Sequence, residues 1–387
     1  MVKVFLVAGA RPNFMKIAPI YAEMKKYPEW FEPIIVHTGQ HYDERMSKIF
    51  FEDLKMPKPH IYLGVGSGTH AHQTAQIMIA FEEILLKYRP DLVLVVGDVN
   101  STIACSLVAA KIRYPETRNH PAIGHVEAGL RSFDRDMPEE ANRVLTDHLS
   151  DILFTTCSDG GKNLAHEGIP AEKVVFVGNV MIDSLVQFLP LARSSTVLDD
   201  LNRTFSERLR EPLQEKAFAL ATLHRPSNVD SSESLSMILE AFAEISRDVP
   251  IVFPMHPRTQ KLMKGLPDKT RRAIDQNPVL ITDPLGYLDF LFLEQAAKLV
   301  LTDSGGVQEE TSFLNIPCLT LRPNTERPIT LTEGTNRLVP LEKEAIIDFA
   351  GKSLNGTVKQ ARSIRFWDGR AAERMVAYLE ANRERFI

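Results

Sequence analysis

Cysteine is scarce in this chain: among 387 residues there are three, Cys105, Cys157 and Cys318. They lie far apart in apolar runs and form no CxxC pair. Buried thiols in a reducing cytoplasm are therefore expected. Long hydrophobic runs are missing as well. The opening run VKVFLVAG is too short for the apolar core of a signal sequence, and no stretch is long enough to span a membrane. Neither sign of charge is in large excess. A net charge of −5 argues against a nucleic-acid partner held mainly by phosphate contacts. No internal repeat and no low-complexity tract is present. The P-loop, GxGxxG and HExxH patterns are all lacking, so nothing announces an NTPase, a dinucleotide enzyme or a zinc protease. His37, His41, His70 and His72 have no metal-ligand context. Neither a metal nor another cofactor is expected.

Hydrophobic residues make up 44% and charged residues 25%, ordinary for a soluble globular protein. The length exceeds one compact core and implies two domains. Apolar runs of strand character fall at 2–8, 33–38, 92–97, 122–126, 152–157 and 174–178. Helical patterns at 71–87, 102–114 and 139–149 lie between them. Near-continuous apolar strands indicate a parallel sheet covered on both faces. After a polar stretch at 191–210 the pattern restarts, with strands at 218–223, 251–255, 279–282, 299–302 and 318–321. An amphipathic helix closes the chain from Arg370 to about Glu384. The simplest architecture is α/β: two doubly wound domains with a cleft between them.

The densest chemistry lies at 125–143, HVEAGLRSFDRDMPEEANR. It holds five carboxylates (Glu127, Asp134, Asp136, Glu139, Glu140) and three arginines (Arg131, Arg135, Arg143). The segment continues a strand-like run, and loops after strand C-termini are where ligands sit in open α/β sheets. Acids beside arginines there suggest proton-transfer groups next to an anion site. Gly97-Asp98 ends another strand in the same way. The plainer readings are an Asp helix cap and first-turn acids complementing a helix dipole. Gly9-Ala10-Arg11-Pro12 and Lys16 follow the first strand, where Arg11 and Lys16 could meet a phosphate or sit in a solvated turn. His224-Arg225 and Met255-His256 end two strands of the second half, and each pair is weak evidence alone.

The sharpest phosphate signal is Thr302-Asp303-Ser304-Gly305-Gly306, a strand running into a helix that begins near Val307. Two glycines let backbone N–H groups approach an anion, and the helix N-terminus adds partial positive charge. Glu310, about one turn on, could bind ribose hydroxyls, and Arg327 in Thr325-Glu326-Arg327-Pro328 could face the same diphosphate. Together they describe a nucleotide-diphosphate site.

The set GARPxxxK, GQH, GD, HVEAGLR, PEEANR, HR, DSGGxQEE and TERP, spread over residues 9–328, resembles the non-hydrolysing UDP-N-acetylglucosamine 2-epimerases. HVEAGLR, PEEANR and DSGGxQEE are specific; GD or HR alone would not be. The resemblance implies the GT-B type of α/β fold: an N-terminal Rossmann-like domain at 1–183, a UDP-binding one at 184–366, and a helix at 367–387 crossing back. It implies reversible inversion at C2 of UDP-N-acetylglucosamine, giving UDP-N-acetylmannosamine. In that route the anomeric C–O bond breaks with loss of the C2 proton, leaving UDP and 2-acetamidoglucal, and UDP adds back. Carried over by motif, Asp98, Glu127 and Glu139 handle protons, and His224 assists departure of UDP. Arg11, Lys16, Arg143 and Arg327 contact phosphate or sugar. Ser304, Gly305 and Gly306 hold the diphosphate, Glu310 the ribose, and Phe290 walls the uracil. Asp134, Asp136 and Glu140 are left as loop or helix-end charges. Gln40, His41 and Arg225 mark a possible allosteric site, and a homodimer is expected.

Some positions depart from the family pattern. Many members read Glu where this chain has Asn13, Thr where it has Val99, and Glu where it has Ser227. None removes a proposed catalytic residue. They suggest a divergent branch, with another 2-acetamido or a 2,3-diacetamido UDP-sugar as an alternative substrate. A GT-B glycosyltransferase using a UDP-sugar is the competing reading, although it does not need the acid cluster. A silent nucleotide-sugar sensor would not need Asp98, Glu127, Glu139 and His224.

Overall fold

A computed structural model describes residues 1–40, 57–115, 119–255, 257–263, 265–356 and 361–386. The chain divides into two compact units, Met1–Val186 with Arg365–Ile387, and Gln187–Ile364. In the first unit, β1 (Val2–Ala8), β2 (Phe31–His37), β3 (Ile61–Tyr62), β4 (Leu92–Val96), β5 (Ala122–Val126), β6 (Ile152–Thr155) and β7 (Val174–Phe176) form one sheet. Its order is β3-β2-β1-β4-β5-β6-β7, and every pairing is parallel. In the second unit, β8 (Ala219–Thr222), β9 (Ile251–Pro254), β10 (Val279–Thr282), β11 (Leu299–Thr302), β12 (Cys318–Thr320) and β13 (Asn336–Leu338) form another. This sheet runs β10-β9-β8-β11-β12-β13, again all parallel.

The strands are legible because helices cover both faces. All five residues of β4, LVLVV, are buried, so alternation is replaced by an unbroken apolar run. Each sheet reverses its strand order beside its first strand, between β1 and β4 and between β8 and β11. Such switch points open a crevice at the strand C-termini. Gly9 and Gly97 lie at the first crevice, Leu223 and Asp303 at the second.

The departures from expectation have local causes. The helix expected at 102–114 runs Asn100–Lys111, because Ile112 turns extended. The Tyr114 hydroxyl then donates to the Pro90 carbonyl at 2.9 Å. Strands β3 and β13 were not expected: they have two and three residues, too short to leave a pattern. The polar stretch at 191–210 contains a helix, Val197–Thr204, whose Val197 and Leu201 are buried. The final helix, Ala371–Ala381, packs against Arg11–Met24 within the first unit. Its free N–H groups at Ala371 and Ala372 donate to the buried Asp183 carboxylate at 3.0 and 2.7 Å.

Candidate functional site

Two turns at the C-terminal edge of the first sheet carry its acids. After β4 the chain turns through Gly97, whose φ of +68° favours glycine, into Asp98. A Cβ on Gly97 would lie 3.0 Å from Lys16 Nζ and 3.4 Å from Glu127 Oε2, so space is limited as well. After β5 the chain turns through Glu127 itself, at φ +70°. A non-glycine residue there is strained and must be held by its surroundings. Ala128 N–H donates to the Phe154 carbonyl at 3.1 Å, and Gly129 N–H to Asp147 Oδ2 at 3.0 Å. The Glu127 side chain is buried against the Lys16 ammonium, which donates to Oε2.

Asp98 is gripped from the helix Pro138–Leu149. Arg143 donates to its Oδ2 from Nε at 2.9 Å and from Nη2 at 2.7 Å. Asn142 donates to the Asp98 carbonyl at 2.9 Å. Asp98 and Glu139 share the wall of a cavity of about 280 Å³ with Gln40, His70, Gln73 and Asn142. The structure thus groups Lys16, Asp98, Glu127, Glu139 and Arg143 around the ends of β4 and β5.

Glu140 departs from its expected role as a loop or helix-end charge. It is buried, and it accepts from Ser132 N–H at 3.0 Å, Ser132 Oγ at 3.1 Å and Phe133 N–H at 2.8 Å. It also accepts from Arg143 Nη1 at 2.5 Å. The loop after Leu130 folds back over the helix start, and Glu140 closes it. Gln40 is likewise committed internally, accepting from Ser101 N–H at 3.0 Å and Ser101 Oγ at 2.6 Å. Arg11 opens the helix Arg11–Met24. His41 and His256 lie outside the described residues. Burial pushes the His37 imidazole down to about 4, so it stays neutral in its stack on Tyr62.

Beneath the acid turns lies a buried network that the sequence did not single out. His125 Nδ1 is 2.6 Å from Asp147 Oδ1, and its Nε2 is 2.8 Å from the Gly97 carbonyl. Arg131 Nη2 lies 2.7 Å from Asp147 Oδ2 and also grips Glu167 through Nε and Nη2. Burial alone would raise the Asp147 carboxyl, but His125 and Arg131 hold it below its ordinary value.

In the second unit His224 follows Leu223 at the end of β8, and Asp303 follows β11. Asp303 accepts from the backbone N–H groups of His224 and Arg225 and from Asn228 Nδ2, at 2.9–3.1 Å. His224 Nδ1 sits 2.9 Å from Asp303 Oδ1, while its side chain is 54% exposed. Burial would raise Asp303, but these donors keep it below the usual carboxylate range. Asp303 was not among the residues expected at the site. Its signal was its place directly after a strand, next to the glycines.

Ser304 stands at the N-cap position, without a side-chain capping hydrogen bond, of a helix that starts at Gly305, two residues earlier than expected, and runs to Leu314. A Cβ on Gly305 would be 2.5 Å from Arg327 Nη1, so the glycine admits the guanidinium. Arg327 lies 2.9 Å from Glu309 Oε1 and 2.5 Å from Glu326 Oε1. Arg225 Nη2 stands 3.7 Å from Glu326. Phe290, on the helix Tyr287–Ala296, is partly buried against the cluster containing Leu280 and Leu293. Glu310 is buried and accepts from the Tyr287 hydroxyl at 3.0 Å. Its neighbour is Glu294, also fully buried. Burial, with Glu309 adding repulsion, pushes Glu310 up to about 7. Burial and Glu310 push Glu294 well up.

A family model described as UDP-N-acetylglucosamine 2-epimerase matches residues 22–380. A UDP-N-acetylglucosamine 2-epimerase homolog of Methanococcus maripaludis is 45% identical, covering 97% of this chain and 99% of that protein. The UDP-2,3-diacetamido-2,3-dideoxy-D-glucuronate 2-epimerase of Pseudomonas aeruginosa is 41% identical, with 97% and 99% covered. The crystal structure of the Methanocaldococcus jannaschii UDP-GlcNAc 2-epimerase, in complex with UDP-GlcNAc and UDP, aligns with a TM-score of 0.84 at 42% identity. That alignment covers 98% of this chain and 99% of the other. With its two doubly wound parallel sheets of the GT-B type, the chain belongs to the UDP-N-acetylglucosamine 2-epimerase family.

Proposed function

We propose that this protein interconverts UDP-N-acetylglucosamine and UDP-N-acetylmannosamine by inversion at C2. The observation that carries this reading is the pair of carboxylates, Asp98 and Glu127, set by tight turns at the ends of adjacent strands. Each is countered by a cation, Arg143 and Lys16 respectively. A C2 proton beside an acetamido group is not acidified by a carbonyl, so plain deprotonation and reprotonation is a poor route. Elimination is the better one: C2 loses its proton as the anomeric C–O bond breaks, giving 2-acetamidoglucal and UDP. Re-addition of UDP with protonation on the opposite face completes inversion. Asp98, Glu127 and Glu139 are assigned to this proton traffic.

The second unit supplies the handle for UDP. Backbone N–H groups of Ser304, Gly305 and Gly306 at a helix N-terminus suit a diphosphate, with Arg327 adding charge. Asp303 occupies His224 Nδ1, which leaves Nε2 to meet the departing diphosphate. Glu310 is assigned to the ribose and Phe290 to the uracil. Gln40 and Arg225 are kept as candidates for effector binding.

Incubation with UDP-N-acetylglucosamine in D2O, followed by NMR, tests the proposal. UDP-N-acetylmannosamine carrying deuterium at C2 supports it. Stoichiometric free UDP would indicate hydrolysis instead, and unchanged substrate would overturn this choice of sugar. The diacetamido relative at 41% identity favours a second reading, a 2,3-diacetamido UDP-sugar, for which the same experiment serves. We also propose a cytoplasmic homodimer. Ile79 and Leu86, 58% and 41% exposed and seven residues apart on the helix His70–Tyr88, give it an apolar face. Light scattering showing a monomer would exclude it.

A further inference from the structure

The geometry points to His125 as a positioning residue. Its imidazole, clamped between Asp147 and the Gly97 carbonyl, fixes the Asp98 and Glu127 turns on one frame. A carbonyl can only accept, so Nε2, 2.8 Å from the Gly97 oxygen, carries a hydrogen. Nδ1 lies 2.6 Å from Asp147 Oδ1, and the other oxygen of Asp147 accepts from Gly129 N–H at 3.0 Å and lies 2.7 Å from Arg131 Nη2.

His125 and Asp147 are inaccessible, and Arg131 nearly so, so the hydrogen bonds among them meet no competing water.

What this couple holds is the site. Gly97 directly precedes Asp98. His125 stands two residues before Glu127, and Gly129, bound by the same Asp147, two residues after it. Asp147 belongs to Pro138–Leu149, the helix that also bears Glu139, Asn142 and Arg143. One hydrogen-bonded pair thus joins the three segments that carry the proposed proton carriers. It also braces Glu127 on both sides at its strained φ of +70°. His125 is too deeply buried to touch substrate, so its effect on the reaction is through placement.

This inference rests on the epimerase reading for its kinetic consequence but not for its geometry. The first test is ¹⁵N NMR of the full chain labelled at histidine, with the His125 signal assigned by its loss in His125→Gln. A slowly exchanging hydrogen on Nε2 is expected; an unprotonated Nε2 would overturn the proposal whether or not the chain is an epimerase. The second test is kinetic. In His125→Gln and Asp147→Asn, kcat is expected to fall about a hundredfold from misplaced carboxylates, with KM for the UDP-sugar within about twofold. Unchanged kcat in both variants would overturn it, as would a fall in kcat matched by loss of UDP binding measured by calorimetry. Absence of epimerisation in the wild type would overturn the functional reading alone.

Discussion

The first unit buries Asp147 against His125 and Arg131, whereas the second buries Glu294 against another carboxylate, Glu310. Both arrangements bury polar groups, yet they treat charge in opposite ways. Around Asp147 both carboxylate oxygens are held by polar partners, and the backbone turns bearing Asp98 and Glu127 inherit that rigidity. Around Glu294 and Glu310 two like charges in a dry site cannot both ionise, so the pair retains a proton. A proton-transfer site needs groups held in one geometry. A site that accepts hydroxyl hydrogens needs one ionised carboxylate, which a shared proton leaves available. On the proposed function, the two regions separate the demands of chemistry from those of binding.

The sharpest break in this comparison is at the acid turns themselves. Glu127→Gln is expected to fold normally, since the amide keeps its shape, and to lose about a thousandfold in C2 exchange. Near-normal exchange measured in D2O would remove Glu127 from the proton traffic. Next comes the frame beneath. Asp147→Asn leaves His125 and Arg131 without their shared anion, and is expected to cost about 3 kcal/mol in urea unfolding. A midpoint within error of wild type would mean that the network does not depend on Asp147 as its shared anion. Glu294→Gln should act in the opposite direction. It removes one of two competing carboxyls while keeping a donor toward Glu310, and is expected to stabilise by about 1 kcal/mol at neutral pH. A destabilised variant would show that the pair is not in conflict.

The sheets were legible because they are covered on both faces, so β1, β5, β10 and β11 match their apolar runs end to end. β3 and β13 were not, since two or three residues carry no period. Asp98, Glu127 and Ser304 were expected just beyond strand ends, and they lie there, after β4, β5 and β11. Asp147 was not expected: it sits in the last turn of a helix, and its meaning lies in His125, twenty-two positions away and on another element. Glu140 shows the same limit. A first-turn acid has a ready local explanation, but here the folded-back loop at Ser132 and Phe133 takes it. Local patterns give elements and edges; they do not give which buried charges meet.

The finest test separates the two regions by pH. Asp147 is held below its ordinary value, so its contribution is present above the unfolded carboxylate range and is lost on acidification. Glu310 behaves in the reverse sense. Between its ordinary 4.5 and about 7, the folded chain keeps a proton that the unfolded chain has released. Stability from this pair therefore falls as pH rises through that window and is lowest above it. Acid losses from Asp147 and Asp303 are common to wild type and Glu294→Gln, so they cancel in the difference between the two. The difference in unfolding free energy should be near zero at the acid end and grow in favour of the variant as pH rises above the ordinary carboxylate range, because Glu294 holds its proton well above that range. A difference that is flat with pH would mean that Glu294 and Glu310 do not share a proton. A difference that shrinks with pH would mean that the carboxylate pair is stabilised by ionisation, as Asp147 is, and the contrast between the two units would be lost.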